Sequence, residues 1–393
     1  MRWKGPVAGT LIVLAAVVGS QLLEPVPVYS HTPITTTIVF QKEIARIFQK
    51  KCYQCHTEGN LAMALTTYKE ARPWAVAIKE EILERRMPPW SAVSGYGHFS
   101  NDNSLTGREV SLILSWADGG APSGVLLKDE DTPPVIVPSL NAWEQGAPDA
   151  AVKVGTGHKV DAGAKDYTQR FEVTTDFATA KWLRALQLKP ADRRVVRYAA
   201  IYQSGNGQWI GTWTPGLQVN RLPSGVGLQL PAHAKLTVEI GYRGTDDAAP
   251  GDGELGFYFA EKRPAQAVAP IEVAVAPAAV APGKTGARMR GEITLKAATT
   301  TAALWPMLGA GGKSLELTAI LPDGEVEPML WLKYFRPDWP SPYVLKEPIT
   351  LPAGTRLIVT AYYDNAGTTA LQAKPTVAVT AWSPSRPSAT PAR

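Results

Sequence analysis

The spacing of apolar and polar residues divides this chain into a helical part and a longer β-rich part. From about Thr35 to Gly124, apolar residues recur every three or four positions, as on one face of a helix. This pattern predicts two amphipathic helices, over Glu70 to Arg86 and over Leu105 to Ala117. Thr106 and Glu109 have the spacing of a capping box and mark the start of the second helix.

The rest of the chain contains many short apolar runs, which are typical of strands. A first set of strands is predicted at Gln169–Thr174, Trp182–Leu188, Arg194–Tyr202, Leu236–Tyr242 and Leu255–Ala260. A second set is predicted at Leu315–Leu321, Leu330–Phe335, Thr355–Asp364 and Thr376–Trp382. The pair Asp323-Gly324 indicates a tight turn in the second set. Two antiparallel β-sandwiches are the simplest arrangement of these strands.

The N-terminus has the pattern of a secretory signal. Arg2 and Lys4 precede the apolar run Val7 to Val18, and small residues follow it. Cleavage after Ser20 and cleavage after Ser30 both fit, and an uncleaved membrane anchor is the alternative. We therefore expect an exported protein, and a periplasmic location suits the cysteine chemistry discussed below.

Length and composition indicate several domains. The 393 residues carry a net charge of +5 without basic blocks interleaved with aromatic residues, so nucleic acid is not an expected partner. The predicted segments are a signal or anchor (1–30), a helical domain (31–127), a linker (128–138), a first β-sandwich (139–267), an Ala/Pro-rich connection (268–284), a second β-sandwich (285–383) and a disordered tail (384–393).

The strongest chemical signal is the run Cys52-Tyr53-Gln54-Cys55-His56, which contains both cysteines of the chain. Two thiols at this spacing can each bond a vinyl group of one haem, and the adjacent histidine then becomes an axial iron ligand. A structural zinc site would need a second Cys/His pair, which is missing. A thioredoxin-like pair would follow a strand, whereas a helical pattern precedes Cys52. The motif predicts one covalent haem c.

Met87 is the expected sixth ligand of that haem. It precedes Pro88-Pro89-Trp90 at the end of a predicted helix, where the prolines fix the backbone and Trp90 offers an apolar wall. A thioether opposite histidine raises the reduction potential and suits electron transfer. His98, Met63 and an open site that binds external ligands are the alternatives.

The stretch from Phe40 to Pro122 resembles the mono-haem cytochrome c domain found in bacterial proteins ahead of a copper type II, ascorbate-dependent monooxygenase-like module. The matching residues are Cys52-Tyr53-Gln54-Cys55-His56, Thr67-Tyr68, Arg72-Pro73-Trp74, Met87-Pro88-Pro89-Trp90, Phe99-Ser100-Asn101-Asp102 and Trp116-Ala117-Asp118-Gly119-Gly120-Ala121-Pro122. The resemblance implies a small class I-like helical fold, thioether links to Cys52 and Cys55, and axial ligation by His56 and Met87.

The rest of the chain is similar to the monooxygenase module itself, which is related to peptidylglycine and dopamine hydroxylating enzymes. The matching residues are Gly146-Ala147-Pro148-Asp149, Trp213-Thr214-Pro215-Gly216, Leu230-Pro231, Gly256-Phe257-Tyr258-Phe259-Ala260, Leu351-Pro352-Ala353-Gly354-Thr355 and Tyr363-Asp364-Asn365. The resemblance implies two jelly-roll-like sandwiches, so the expected fold class is multidomain, α followed by all-β.

The copper ligands of that family are replaced in this chain. Its enzymes bind one copper with a His-His pair and a third histidine, where this chain has Arg197-Tyr198 and Gly241. They bind the second copper with two histidines and a methionine. The stretch with those histidines is Pro306-Met307-Leu308-Gly309 here, and no methionine follows Met329.

A count of histidines leads to the same expectation without the family. The chain has five, of which His56 is assigned to haem and the others are isolated in sequence, namely His31, His98, His158 and His233. Copper sites rich in imidazole need clustered histidines, so copper is not expected.

We therefore predict an exported electron carrier rather than an enzyme. Its β module would serve as a docking or scaffold element, and a redox partner protein is expected. Two alternatives are a copper monooxygenase fed by the haem, which would be an oxidoreductase, and a redox-sensing binding protein.

Overall fold

The computed structural model describes residues 35–124, 142–216 and 220–384. The protein is mostly β, with 40% of residues in strands and 12% in helices. The predicted signal or anchor, the linker and nearly all of the tail lie outside the described residues. None of the helices in the described part is long and apolar enough to cross a membrane.

Four short α-helices build the N-terminal region. They are α1 (Ala45–Lys51), α2 (Tyr68–Ala71), α3 (Ala75–Leu83) and α4 (Gly107–Asp118), with a π-helical turn at Phe40–Ile44 and a 3-10 turn at Arg72–Trp74. Their buried side chains form one core, in which the Trp116 ring lies 5.9 Å from Phe40 and 6.2 Å from Phe48 between ring centroids.

The capping box before α4 is confirmed, because Thr106 Oγ1 accepts from Glu109 N and Glu109 Oε2 accepts from Thr106 N. The helix predicted over Glu70 to Arg86 is confirmed in part, because residues 70–83 are helical but a 3-10 turn divides them into two α-helices. Pro73, which lacks an amide hydrogen, lies in a 3-10 turn that separates α2 from α3. Helix α3 then ends at Leu83, and Arg85 has a left-handed backbone with φ of 56°.

The first β unit comprises the next twelve strands. They are β1 (Ala150–Val154), β2 (Lys159–Val160), β3 (Tyr167–Thr174), β4 (Lys181–Pro190), β5 (Val196–Gln203), β6 (Gln208–Trp213), β7 (Asn220–Arg221), β8 (Val226–Leu230), β9 (Lys235–Tyr242), β10 (Ala249–Pro250), β11 (Gly253–Phe259) and β12 (Gln266–Ala267). One sheet has the order β1-β11-β4-β8-β12, with β7 paired to β4, and another has the order β3-β9-β5-β6. Both sheets contribute to one hydrophobic core.

The second β unit comprises the last ten strands. They are β13 (Ile271–Ala274), β14 (Ala278–Val280), β15 (Ala287–Thr294), β16 (Thr299–Met307), β17 (Gly312–Ile320), β18 (Val326–Leu332), β19 (Tyr343–Leu351), β20 (Arg356–Tyr363), β21 (Leu371–Ala373) and β22 (Thr376–Trp382). Sheets of order β13-β22-β16-β19 and β15-β20-β17-β18 share a second core.

The nine predicted strands are all present, with ends that differ by a few residues. The turn at Asp323-Gly324 is confirmed, with Gly324 at φ of 91°. The connection predicted at residues 268–284 contains strands β13 and β14. Its valines Val273, Val275 and Val280 are buried in the second core, which explains why this stretch is ordered against the sheets.

The loop between α3 and α4 is built into the second β unit. Val93 N donates to Trp331 O and Lys333 N donates to Ser91 O, which pairs the loop with the edge strand β18. Farther along, Ser100 N donates to Val344 O at the edge strand β19. The helical region and the second β unit are therefore joined by backbone ladders as well as by side chains.

Candidate functional site

The Cys-x-x-Cys-His run forms a helical turn directly after α1. Cys52 N donates to Phe48 O at 2.7 Å, and His56 N donates to Cys52 O at 2.9 Å. This turn brings Cys52, Cys55 and His56 to one cavity, because all three residues line it. Neither thiol is in a disulfide.

This CXXCH cavity has a volume of 490 Å³, which is in the usual range of about 300–1,000 Å³ for small-molecule and cofactor sites. Apolar side chains from the helical region make much of its wall, namely Leu65, Ile78, Ile82, Pro88, Trp90 and Ile113. A cavity with two thiols, an imidazole and an apolar wall has the donor set and the surface that a covalently bound haem requires.

The imidazole of His56 is held by a hydrogen bond to a backbone carbonyl. Its Nδ1 lies 2.9 Å from Met63 O, and because a carbonyl only accepts, Nδ1 carries the proton. Nε2 is then the unprotonated nitrogen, which is how second-shell carbonyls orient iron-binding histidines. Burial lowers the pKa of His56, and the bond to Met63 offsets only part of that effect. His56 is therefore neutral at pH 7.

The two thiols are protonated in the folded chain. Burial raises the pKa of Cys52 to about 12, and the neighbouring Cys55 adds to the effect. Burial also raises the pKa of Cys55 to about 12, although the Arg193 charge opposes it. Such thiols differ from the depressed-pKa cysteines of redox-active pairs.

Of the three candidates for the sixth ligand, Met87 and Met63 line the CXXCH cavity and His98 does not. The Met63 carbonyl accepts from His56, so Met63 is tied to the histidine side. His98 is exposed, and its carbonyl accepts from Lys346 N in the ladder with β19. Met87 is held by its backbone, with Met87 N donating to Glu81 O at 3.2 Å, and its side chain is 37% exposed.

Both β units contribute charged residues to the cavity wall, and the sequence reasoning placed none of them beside the CXXCH run. They are Arg197 and Arg243 from the first β unit, and Arg336 and Asp338 from the loop between β18 and β19. Arg243 Nη1 donates to Leu61 O at 2.7 Å.

The positions that the family resemblance assigns to the first copper adjoin each other in the sheet. Tyr198 on β5 is directly opposite Gly241 on β9. A methyl group on Gly241 would collide with the Tyr198 ring, so the ring occupies the space above the glycine. Tyr198 is buried, and its hydroxyl donates to Glu239 Oε1 at 3.2 Å.

Met307, where the resemblance places ligands of the second copper, belongs to a cluster that joins the two β units. Tyr202 Oη donates to Met307 Sδ at 3.7 Å, and the Trp209 and Trp305 rings stack with centroids 5.7 Å apart. Tyr198 is part of the same cluster. Aromatic packing thus connects the positions assigned to the two coppers.

The described histidines outside the cavity have other contacts or are exposed. His158 Nε2 lies 2.9 Å from Tyr167 Oη, and His233 is exposed in a turn with φ of 49°. His31 lies outside the described residues. Within residues 35–124, 142–216 and 220–384, no group of three or more His, Cys, Asp or Glu side chains is placed to hold a metal ion.

Comparison with known proteins finds no matching family model and no matching curated protein. Similar solved structures include the glycosylasparaginase PNGase F from Flavobacterium meningosepticum, with 13% identity and a TM-score of 0.28 over 59% of this chain and 96% of that chain. The capsid protein P2 of bacteriophage PM2 has 10% identity and a TM-score of 0.24 over 60% and 99% of the two chains. At these TM-scores the likeness carries no argument for fold or function.

Proposed function

We propose that this protein is an exported c-type cytochrome that transfers electrons through one haem c bound to Cys52, Cys55 and His56, with Met87 as the sixth ligand. The observation that carries the proposal is the His56 geometry. The only two thiols of the chain lie beside an imidazole whose Nδ1 is fixed by Met63 O, and all of these groups line one apolar cavity.

When bound, the haem supplies the one-electron chemistry, and the protein residues tune it. The Met63 carbonyl makes His56 a stronger donor by accepting from Nδ1. A thioether from Met87 would favour ferrous iron and raise the potential. The apolar part of the wall would surround the haem with less polar groups than water, which would also favour the less charged ferrous state.

The two β units are, in this proposal, the two sandwiches of a monooxygenase-like module that has become a scaffold for the cytochrome. The ladders that join residues 91–93 to β18 and residues 98–100 to β19 support this role, because they fix the Met87 loop. The copper monooxygenase is the weaker alternative, since the Tyr198 ring fills the space above Gly241 where that family would need imidazoles. The electron donor or acceptor would be a separate redox protein.

The test is covalent haem attachment. The protein should be produced with a cytochrome c maturation system, denatured, extracted with acid acetone and analysed by mass spectrometry. We expect one haem to remain on the wild-type chain and on Met63→Leu, which is the control. The double variant Cys52→Ala, Cys55→Ala should carry none. Haem that extracts from the wild-type chain would reject the proposal.

A further inference from the structure

The loop that carries Met87 is held by the second β unit on both sides of the methionine. After it, the Trp90 ring lies 4.9 Å from the Tyr343 ring between centroids, and Trp90 packs against the second core. Before it, Arg336 Nη1 donates to Arg86 O at 3.4 Å. That carbonyl belongs to the peptide bond that leads into Met87.

Arg336 is itself part of an ion-pair chain centred on Asp338. Asp338 Oδ2 lies 2.7 Å from Arg336 Nη2 and 2.7 Å from Arg197 Nη1. Arg197 also pairs with Asp166, with 2.6 Å between Nη2 and Oδ2. This ion-pair chain therefore extends from the first β unit, through the second β unit, to the backbone carbonyl next to Met87.

Three members of this ion-pair chain, Arg197, Arg336 and Asp338, also line the CXXCH cavity. Their side chains are 19–35% exposed, so solvent screens them less than it screens pairs on the open surface. Arg197 stands where the family resemblance assigns a copper ligand. Its side chain instead forms an ion pair with Asp338.

We propose that the Arg197–Asp338–Arg336 chain positions Met87 on the haem iron. The inference rests on the proposed function, because it requires haem in the CXXCH cavity and Met87 as its ligand. Asp338 orients Arg336, Arg336 holds the carbonyl before Met87, and Arg197 anchors Asp338 to the first β unit. These three are positioning residues, because they would act on Met87 only through the carbonyl that precedes it.

The strength of this positioning can be measured by competition with an external ligand. If Met87 is the sixth ligand, imidazole would bind ferric haem only in molecules whose Met87 side chain does not coordinate the iron. A variant that lowers the equilibrium constant for Met87 binding to the iron by some factor should therefore raise the apparent imidazole affinity by the same factor. This readout reports on Met87 directly and is separate from the global stability of the chain.

The decisive variant is Asp338→Asn, which keeps the size of the side chain and removes the charge between two guanidinium groups. We expect covalent haem to remain, and apparent imidazole affinity to increase about tenfold, which corresponds to about 1.4 kcal/mol. The thioether-to-iron absorption should weaken and the potential should fall. Asp338→Glu should restore much of the wild-type behaviour.

The matched control is Glu292→Gln. Glu292 also lies between two arginines, at 3.3 Å from Arg290 and 2.9 Å from Arg356, and is 44% exposed. It lies on β15, away from the cavity lining. We expect wild-type imidazole affinity and potential for this variant.

The outcomes separate the two proposals. If Asp338→Asn and Glu292→Gln bind imidazole equally, the positioning inference is overturned while the cytochrome proposal stands. If the wild-type chain has no covalent haem, the cytochrome proposal itself fails. Should Asp338→Asn not fold, Arg336→Gln takes its place, because it leaves both ion pairs of Arg197 intact. It should raise imidazole affinity in the same direction, and wild-type affinity in it would overturn the inference.

Discussion

The ring of Tyr198 lies directly against the backbone of Gly241 on the neighbouring strand. The family resemblance in the sequence assigns copper-binding histidines to these two positions. The large ring and the missing side chain complement each other, so the two replacements fit as a pair. A histidine introduced at position 241 alone would collide with the Tyr198 ring.

Gly241→Ala should destabilise the first β unit, because the added methyl group collides with the buried Tyr198 ring. Overpacking of this kind costs about 1–3 kcal/mol. Urea unfolding followed by tryptophan fluorescence measures the change. Gly107→Ala is the control, since a methyl group there meets nothing within 4 Å. Equal stability of the two variants would show that the sheet relaxes around the new methyl group.

The purified protein should contain iron without stoichiometric copper and should show no ascorbate-dependent hydroxylation. Tyr198 and Gly241 supply no imidazole, and Arg197 is a permanent cation that repels metal ions. Metal analysis after copper loading and desalting makes the measurement. About one retained copper per chain with a histidine-type electron paramagnetic resonance spectrum would support the monooxygenase alternative.

Met87→Ala should keep covalent haem and lose the thioether-to-iron absorption, with a lower reduction potential because water or an external base replaces a soft ligand. Met63→Ala is the matched variant, and we expect the absorption to remain in it. The Met63 carbonyl, which contacts His56, is retained when only the side chain changes. If the absorption is lost in Met63→Ala and retained in Met87→Ala, Met63 is the sixth ligand instead of Met87.

The stability of the helical region should depend on pH through the carboxylate of Glu70. Burial opposes ionisation of this carboxylate, but hydrogen bonds from Thr66 and Thr67 together lower its pKa. Its stabilising effect is therefore present above the unfolded-state pKa of about 4.3 and is lost as the pH falls through the lower folded-state pKa. Glu70→Gln should cost about 0.5–1 kcal/mol at pH 7 and little in strong acid.

Chemical denaturation of Glu70→Gln and of wild type at pH 7 and at successively lower pH tests this. Glu58→Gln, at an exposed position two residues after His56, is the control. A Glu70→Gln deficit that stays constant through the acid range would contradict the assignment of the effect to the carboxylate.

Local sequence patterns determined the parts of this protein that depend on neighbouring residues. The Thr106/Glu109 capping box, the strand Thr376–Trp382 and the grouping of Cys52, Cys55 and His56 at one cavity agree with the structure. Hydrogen bonds and side-chain periodicities within a few positions fix these features, so spacing alone predicts them. Pro73 is also a local signal for the interruption between α2 and α3. The apolar periodicity on both sides of it nevertheless predicted one continuous helix.

Only the tertiary structure decided which distant segments meet at the cavity. Arg197 and Asp338 are 141 positions apart, and Arg336 and Arg86 are 250 positions apart. Likewise, nothing in the sequence of residues 91–100 indicates that this loop pairs with two edge strands far along the chain. Such contacts depend on how sheets and helices pack, because loop closure over these distances is compensated only by the complete core. The CXXCH motif is therefore local, whereas the contacts by which we propose that distant residues position Met87 depend on the fold.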